Sequence, residues 1–379
     1  MKRIIFLIVS IVLININTNA QDTGYKFKMK KEIAATPVKS QYRTSTCWSF
    51  SSLSFLESEL IRIGKGEFDL SEMFVVRYTY LGKTDKYVRM HGNSNLAGGG
   101  AFHDVLNVFR EYGIVPEEVY SGKVIGEENH IHGEMDAVIK GYVDAVIKNR
   151  NRKLTPVWEK GLEGILDAYL GKIPKNFEYK GKTYTPKTFV AALGIDPDDY
   201  IIISSFTHHP FYEAFILEVP DNWDWGECYN LPLDEFEEVI DNALKNDFSI
   251  AWASDMSDRG FSRNHGLAIV PEKDWEEMTE EELNNVFKNA GKQKKITQEL
   301  RQKGFDNFTT TDDHGMHIIG VGKDQNGSEF FKVKNSWGEY GPYDGYHYAS
   351  KAFILYKTTN YMVHKDAVPD SIREKLGID

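Results

Sequence analysis

An α+β fold, with helices leading and strands closing the chain, is what this amino-acid sequence predicts. Three observations carry the prediction. Apolar residues recur at helical spacing (Phe50, Leu53, Leu56, Leu60, Ile63) in the first part of the chain and again near 133–149 and 154–170. The pattern changes late in the chain, where HIIGVG, FFKVKNSWG and GYHYAS read as short strands between glycine turns. A hydrophobic content of 41% with 13% aromatic residues supports a sizeable core. Helices first and strands last argue against alternating βαβ units and for segregated layers with a helical insertion.

The first segment, residues 1–20, is expected to be a secretory signal peptide. Lys2 and Arg3 make a basic start, Ile4 to Ile14 form an apolar run broken only by Ser10, and Thr18-Asn19-Ala20 precede Gln21. The apolar run is too short to span a bilayer. A mature, exported, soluble protein of about 359 residues is expected, long enough for two domains or one large domain with an insertion. Losing Lys2 and Arg3 takes the formal charge from −11 to −13. An acidic chain without a basic cluster argues against nucleic acid and anionic membrane as partners. Cys47 and Cys228 are the only cysteines, too few to staple a chain of this size; a free cysteine in an oxidising compartment points to reactivity, or to a buried inert thiol.

Residues 21–122 form the first lobe. The helix beginning at Cys47 ends at Gly64 and Gly66, which places the thiol near a helix N-terminus, where free N–H groups and partial positive charge favour a thiolate. Gly98, Gly99 and Gly100 make a loop before a helix carrying Val105, Leu106, Val108 and Phe109, stopped by Gly113 and Pro116. Residues 123–247 read as a separate, mostly helical layer, with a hairpin in FEYKGKTYT, a strand at YIIISSF and a helix at LDEFEEVIDNALKND. Residues 248–379 open on a strand, FSIAWAS, cross a charged helical stretch at 273–303 and end in the strands.

A cysteine nucleophile needs a base, a group that orients the base, and donors for the oxyanion of the tetrahedral intermediate. The base is sought in DDHGMHIIGVG, the orienting group is Asn335 in KVKNSWG, and the oxyanion donor is Gln41, six residues before Cys47. The pairs His130/His132 and His208/His209 lack a matching carboxylate or cysteine frame, and DPDDY lacks calcium-loop spacing. No metal or other cofactor is expected.

Gln41, Cys47-Trp48-Ser49-Phe50, a glycine pair, a histidine leading into an apolar strand, and Asn335-Ser336-Trp337-Gly338, in this chain order, resemble the papain-like cysteine peptidases. The resemblance covers about residues 36–122 and 248–357. It implies a two-lobe fold, a helical lobe and a β-barrel-like lobe, here interrupted by the large insertion. It also implies a histidine six residues before the glycine of a G-x-G, which selects His314 rather than His317. By that resemblance Cys47 pairs with His314 and attacks the scissile carbonyl, Asn335 fixes the imidazole, and Gln41 with the Cys47 N–H receives the oxyanion. Trp337 shields the Asn335–His314 bond, and Gly99 and Gly100 offer bare backbone to an extended peptide. A thiol so paired can have a pKa of ~3–4.

The insertion, YGIVP, LSEM and HKDAVPDSIREKL resemble the bleomycin hydrolase/aminopeptidase C branch, which implies aminopeptidase action on short peptides and a homo-oligomer, a hexamer with an inner channel. Ser45-Thr46 stands where the branch has glycine-arginine, and the sequence stops at Asp379 without the branch's apolar C-terminal arm, which leaves endopeptidase action as the alternative. Transglutaminase-type acyl transfer would close its triad with aspartate rather than Asn335, and an inactive peptide-binding homologue would not be expected to fill every catalytic position.

Overall fold

The computed structural model describes residues 24–378; the leader read at residues 1–20 lies outside the described residues. The first half of the chain supplies most of the helices: α1 (Cys47–Arg62), α2 (Glu72–Arg89), α3 (Phe102–Glu111), α4 (Gly133–Ile147), α5 (Val157–Leu170) and α6 (Pro186–Leu193). Later come α7 (Leu233–Lys245), α8 (Glu280–Asn285), α9 (Gln298–Asp306), α10 (Lys351–Lys357) and α11 (Asp370–Leu376). The strands are β1 (Lys28–Glu32), the hairpin β2 (Phe177–Tyr179) and β3 (Lys182–Tyr184), then β4 (Tyr200–Ser204), β5 (Ala214–Ile216), β6 (Glu227–Asn230), β7 (Ile250–Ser254), β8 (Phe261–Ser262), β9 (Leu267–Ala268), β10 (His314–Lys323), β11 (Glu329–Lys334), β12 (Tyr346–Ser350) and β13 (Thr358–His364). Helices and one large sheet give the expected α+β class.

The sheet runs β5-β6-β4-β13-β7-β10-β11-β12-β9-β8, with β1 added beside the far half of β10. Side chains alternate across it, so its two faces serve two cores. Ala251 and Ala253 on β7 and Met362 on β13 join the core built by α1 to α6. Ile250 and Trp252, with Tyr361 and Val363, join a second core that includes Phe236 and Ile240 of α7 and Phe353 of α10. Residues 200–245, read from the sequence as part of a separate layer, enter the sheet and feed both cores: Ile202, Phe206 and Phe215 join the first, Ile203, Leu231 and α7 the second. β4 pairs with β13, a partner more than a hundred residues away that no local pattern announces, and β6 and then β5 add beyond it.

Two details position the site. α1 is buried from Trp48 to Leu60 on every side, so it is a central helix. Its acids are satisfied: Glu57 accepts from Thr36 Oγ1 (2.5 Å), Leu70 N (2.9 Å) and Lys39 Nζ (3.0 Å). β10 then runs directly over the start of α1. A Cβ on Gly315 would stand 2.7 Å from Ser51 Oγ and 3.2 Å from Trp48 Cα, so only glycine permits this approach.

Candidate active site

Cys47 is the first residue of α1, carried by the turn 41–46. Thr44 Oγ1 donates to Gln41 O (3.0 Å) and lies 2.6 Å from Thr46 Oγ1, which ties the turn together. Ser45 has φ +56°, in the left-handed region that glycine adopts freely and other residues enter at a cost of about 1–2 kcal/mol. The loop keeps a glycine-like shape although glycine is absent.

His314 opens β10 opposite Ser254 of β7. Its Nε2 meets Asn335 Oδ1 at 2.8 Å, with both side chains buried. Asn335 leaves β11, and its Oδ1 also accepts from Ser336 N at 2.8 Å. Because the carboxamide oxygen is the acceptor, the imidazole carries its proton on Nε2 and turns Nδ1 to the cleft. Trp337 stacks on the His314 ring at 4.9 Å with an interplanar angle of 27°, and Arg263 covers the indole at 4.4 Å. Trp337 thus lids the His314–Asn335 bond.

Gln41 is buried and bound to the same loop. Its N–H donates to Ser336 O (2.8 Å), and Ser336 Oγ donates to Gln41 Oε1 (2.6 Å). Anchoring the oxygen leaves the Nε2 donor for a ligand. Ser336, which sequence reasoning passed over, therefore orients the Gln41 amide; its adjacency to Asn335 in NSWG was the available signal. His317 faces the other way, as its odd separation from His314 requires: Nδ1 is 2.9 Å from Ser54 Oγ on α1, and the residue is completely buried. His265 pairs with Ser262 (2.7 Å) and stacks on Phe287.

Cys47, Trp48, Gly100, His314 and Gly315 line one small cavity. Gly99 is not on its wall. Lys83 Nζ donates to the Gly99 carbonyl, and the Asp221 carboxylate fills the space where a Gly99 side chain would go, 2.0 Å from the Cβ position. Of the two glycines expected to offer bare backbone, Gly100 lines the cavity, with Trp48 and Asp104 packed 2.7 Å from where a Cβ would stand. Trp48 Nε1 donates to Gly98 O at 3.1 Å and fixes this loop to α1.

Burial pushes the Cys47 thiol up to about 12, assisted by the carboxylates of Asp312 and Asp221 and opposed by the N–H groups of Gly315 and Trp48. Burial likewise pushes His314 down to about 4, against the pull of Asn335 and Asp313. Neither charge is favoured alone in this largely enclosed site, unlike the low thiol pKa that the resemblance implies. Moving the proton from Sγ to the imidazole would create both charges together, and their attraction would offset the desolvation that opposes each separately.

Sequence reasoning missed three lining residues. Asp312 and Asp313 directly precede the base in DDHG, and that adjacency could have flagged them. Asp221, in PDNW, reaches the cavity from the insertion, and nothing local marks it. Cys228, read as a structural thiol, is a free cysteine buried in the cavity wall on β6. Elsewhere, His208 and His209 converge on Glu218 (3.0 and 2.7 Å), a partner not visible from spacing. Gln302 Nε2 donates to His208 Nδ1 (3.0 Å), so His208 Nε2 bears the proton shared with Glu218 rather than a free lone pair.

The peptidase C1-like family matches residues 167–378, a stretch that includes His314 and Asn335. Over nearly its whole length the chain is similar to aminopeptidase C of Streptococcus thermophilus (22% identical, 94% of this chain and 86% of that one). It is also similar to aminopeptidase G of Lactobacillus delbrueckii subsp. lactis (22%, 91% and 85%). Among solved structures, PepW from Lactobacillus rhamnosis shares the fold, with a TM-score of 0.73 at 20% identity over 95% of this chain and 87% of that one. The matched stretch exceeds half the sequence, and the chain accordingly belongs to the peptidase C1-like family of papain-like cysteine peptidases.

Proposed function

We propose that this peptidase removes residues from the free N-terminus of peptides, with Cys47, His314, Asn335 and Gln41 as its machinery. The observation that carries the mechanism is the His314 Nε2–Asn335 Oδ1 bond at 2.8 Å, placed in one cavity with a cysteine at a helix N-terminus. Sγ of Cys47 gives its proton to His314 Nδ1 and bonds to the scissile carbonyl carbon. The developing oxyanion is received by Gln41 Nε2 and the Cys47 N–H. The C–N bond breaks as His314 returns the proton to the leaving amine, which leaves a thioester. Water then gives a proton to His314, attacks the thioester carbon and releases the acid and the thiol. Restriction to the N-terminus is supported by the relatives named aminopeptidase C and G.

The test offers one peptide in free and N-acetylated forms to the reduced protein, with Cys47→Ala as control, and follows products by mass. Stepwise shortening of the free form alone is expected. Internal cleavage of both forms would make the enzyme an endopeptidase.

The same reading extends to placement. The basic start and apolar run of residues 4–14 support export, and a closed homo-oligomer, a hexamer by resemblance, would restrain an exported peptidase. No described helix is long and apolar enough to cross a membrane. Cell fractionation and light scattering of the purified protein check these two points; an intact N-terminus in the cytoplasm or an active monomer would reject them.

A further inference from the structure

We propose that Asp221 and Asp312 form the seat for the α-ammonium group of the peptide substrate. The proposal rests on the aminopeptidase reading above and names the residues that would enforce it.

Both side chains line the cavity that holds Cys47 and His314, and they enter it from different parts of the chain. Asp221 stands in the crossing between β5 and β6; Asp312 stands two residues before His314. Each is oriented by one neutral donor: Asn95 Nδ2 donates to Asp221 Oδ1 (2.9 Å), and Thr359 Oγ1 donates to Asp312 Oδ1 (3.2 Å). In both, the second oxygen has no hydrogen-bond donor among the described residues. Neither carboxylate forms an ion pair there. Lys83, the cation nearest in influence to Asp221, spends its protons on the carbonyls of Ala97 and Gly99. Asp313, the third acid of the group, is already used by Ser257 N (3.0 Å) and Thr311 Oγ1 (2.9 Å).

A pair of positioned carboxylates without a directly paired cation costs free energy that a bound cation recovers. The cavity wall contains no lysine or arginine, so its field favours a positive ligand. An independent observation places a ligand there: His314 is 95% buried, its Nε2 is held by Asn335, and its Nδ1, without a partner among the described residues, opens into the same cavity. The reacting carbonyl must therefore lie beside Cys47 and His314, and a group attached close to it meets the two acids. Asp221 also blocks the wall at Gly99, so a chain continuing past that point meets side chain instead of open groove. The charge state agrees: burial and then the like charge of Asp221 raise Asp312 to about 7. An ammonium bound there would remove the two carboxylate influences that oppose the Cys47 thiolate.

The experiment compares Asp221→Asn, Asp312→Asn and Asp312→Glu with wild type, all as the full chain. Three peptides are used: one free, its N-acetylated form, and an N-acetylated form with lysine at the second residue. Loss of a charge-assisted hydrogen bond predicts that each Asn variant loses roughly 10- to 100-fold in kcat/KM on the free peptide, chiefly through KM. The free-over-acetylated preference should shrink by the same factor, and Asp312→Glu should recover part of it. Circular dichroism and the urea midpoint establish that each variant is folded. If wild type prefers the free peptide and both Asn variants keep the full preference, the seat is elsewhere and the aminopeptidase reading survives. If wild type cuts acetylated and free peptides equally, the aminopeptidase reading fails and the seat fails with it. If the Asn variants lose only the lysine-bearing peptide, the acids receive a side-chain ammonium, which overturns the assignment to the α-ammonium.

Discussion

His314 and Asn335 lie on neighbouring antiparallel strands, yet they meet only because Asn335 sits just beyond the end of β11 while His314 sits at the start of β10. The 2.8 Å bond between them spans the mouth of the strand pair, under the ring of Trp337. A bond that sets tautomer and ring angle acts on the transition state more than on substrate binding. Asn335→Ala is therefore expected to lower kcat by roughly 10- to 100-fold with little change in KM, the size of one hydrogen bond to a charged group. Steady-state kinetics on a free peptide check this; a change confined to KM would refute the orienting role.

Gln41 makes a second prediction. Removing an oxyanion donor costs about 10²–10³ in kcat. Gln41→Ala should lose that much. Ser336→Ala, which frees the amide to rotate without removing it, should lose less, on the order of tenfold. Equal losses would mean that Ser336 does more than hold the amide.

Ser45 is strained by its φ of +56°. Ser45→Gly relieves about 1–2 kcal/mol of left-handed strain and adds about 0.5–1 kcal/mol of unfolded-state entropy. A net gain of about 0.5–1 kcal/mol is expected, read as a higher urea midpoint at unchanged m-value. A lower midpoint would show that the Ser45 side chain stabilises the turn in some other way.

His317 predicts a pH dependence. Burial, and then the neighbouring Lys334, hold its folded-state pKa well below the ordinary 6.5. A histidine depressed in the folded state stabilises the protein above pH 6.5, and that stability is lost as pH falls towards the folded value. In this window the unfolded chain binds about one more proton, worth about 1.4 kcal/mol per pH unit. His317→Gln should be less stable at pH 7, and its stability should fall less steeply between pH 6.5 and 5 by about that slope. Parallel curves for variant and wild type would mean that His317 is not the titrating group.

Much of this was legible in the residues themselves. NSWG announces a turn bearing an orienting amide, and the chain order of Gln41, Cys47, His314 and Asn335 anticipates a site the fold then gathers. The opposite facing of His314 and His317 follows from strand alternation alone. What stayed hidden depends on contacts between distant segments. Strands β4 to β6 looked like part of a separate layer because pairing with β13 is non-local. Glu57 and Glu59 are buried on α1 only because Thr36, Lys39 and Arg62 meet them in space. Asp221 carries no motif at all; it matters only because the insertion folds back over Gly99.

The contact of Gly315 with the first turn of α1 has a consequence for how the enzyme is made. The nucleophile leaves the ribosome early, on a helix with its own core, while the base arrives only when the last part of the chain has been translated. A chain broken off before β10 therefore holds the cysteine without the imidazole that would take its proton. Translation order thus acts as a safety catch, since a half-made chain carries one half of the pair and cannot cut the peptides around it.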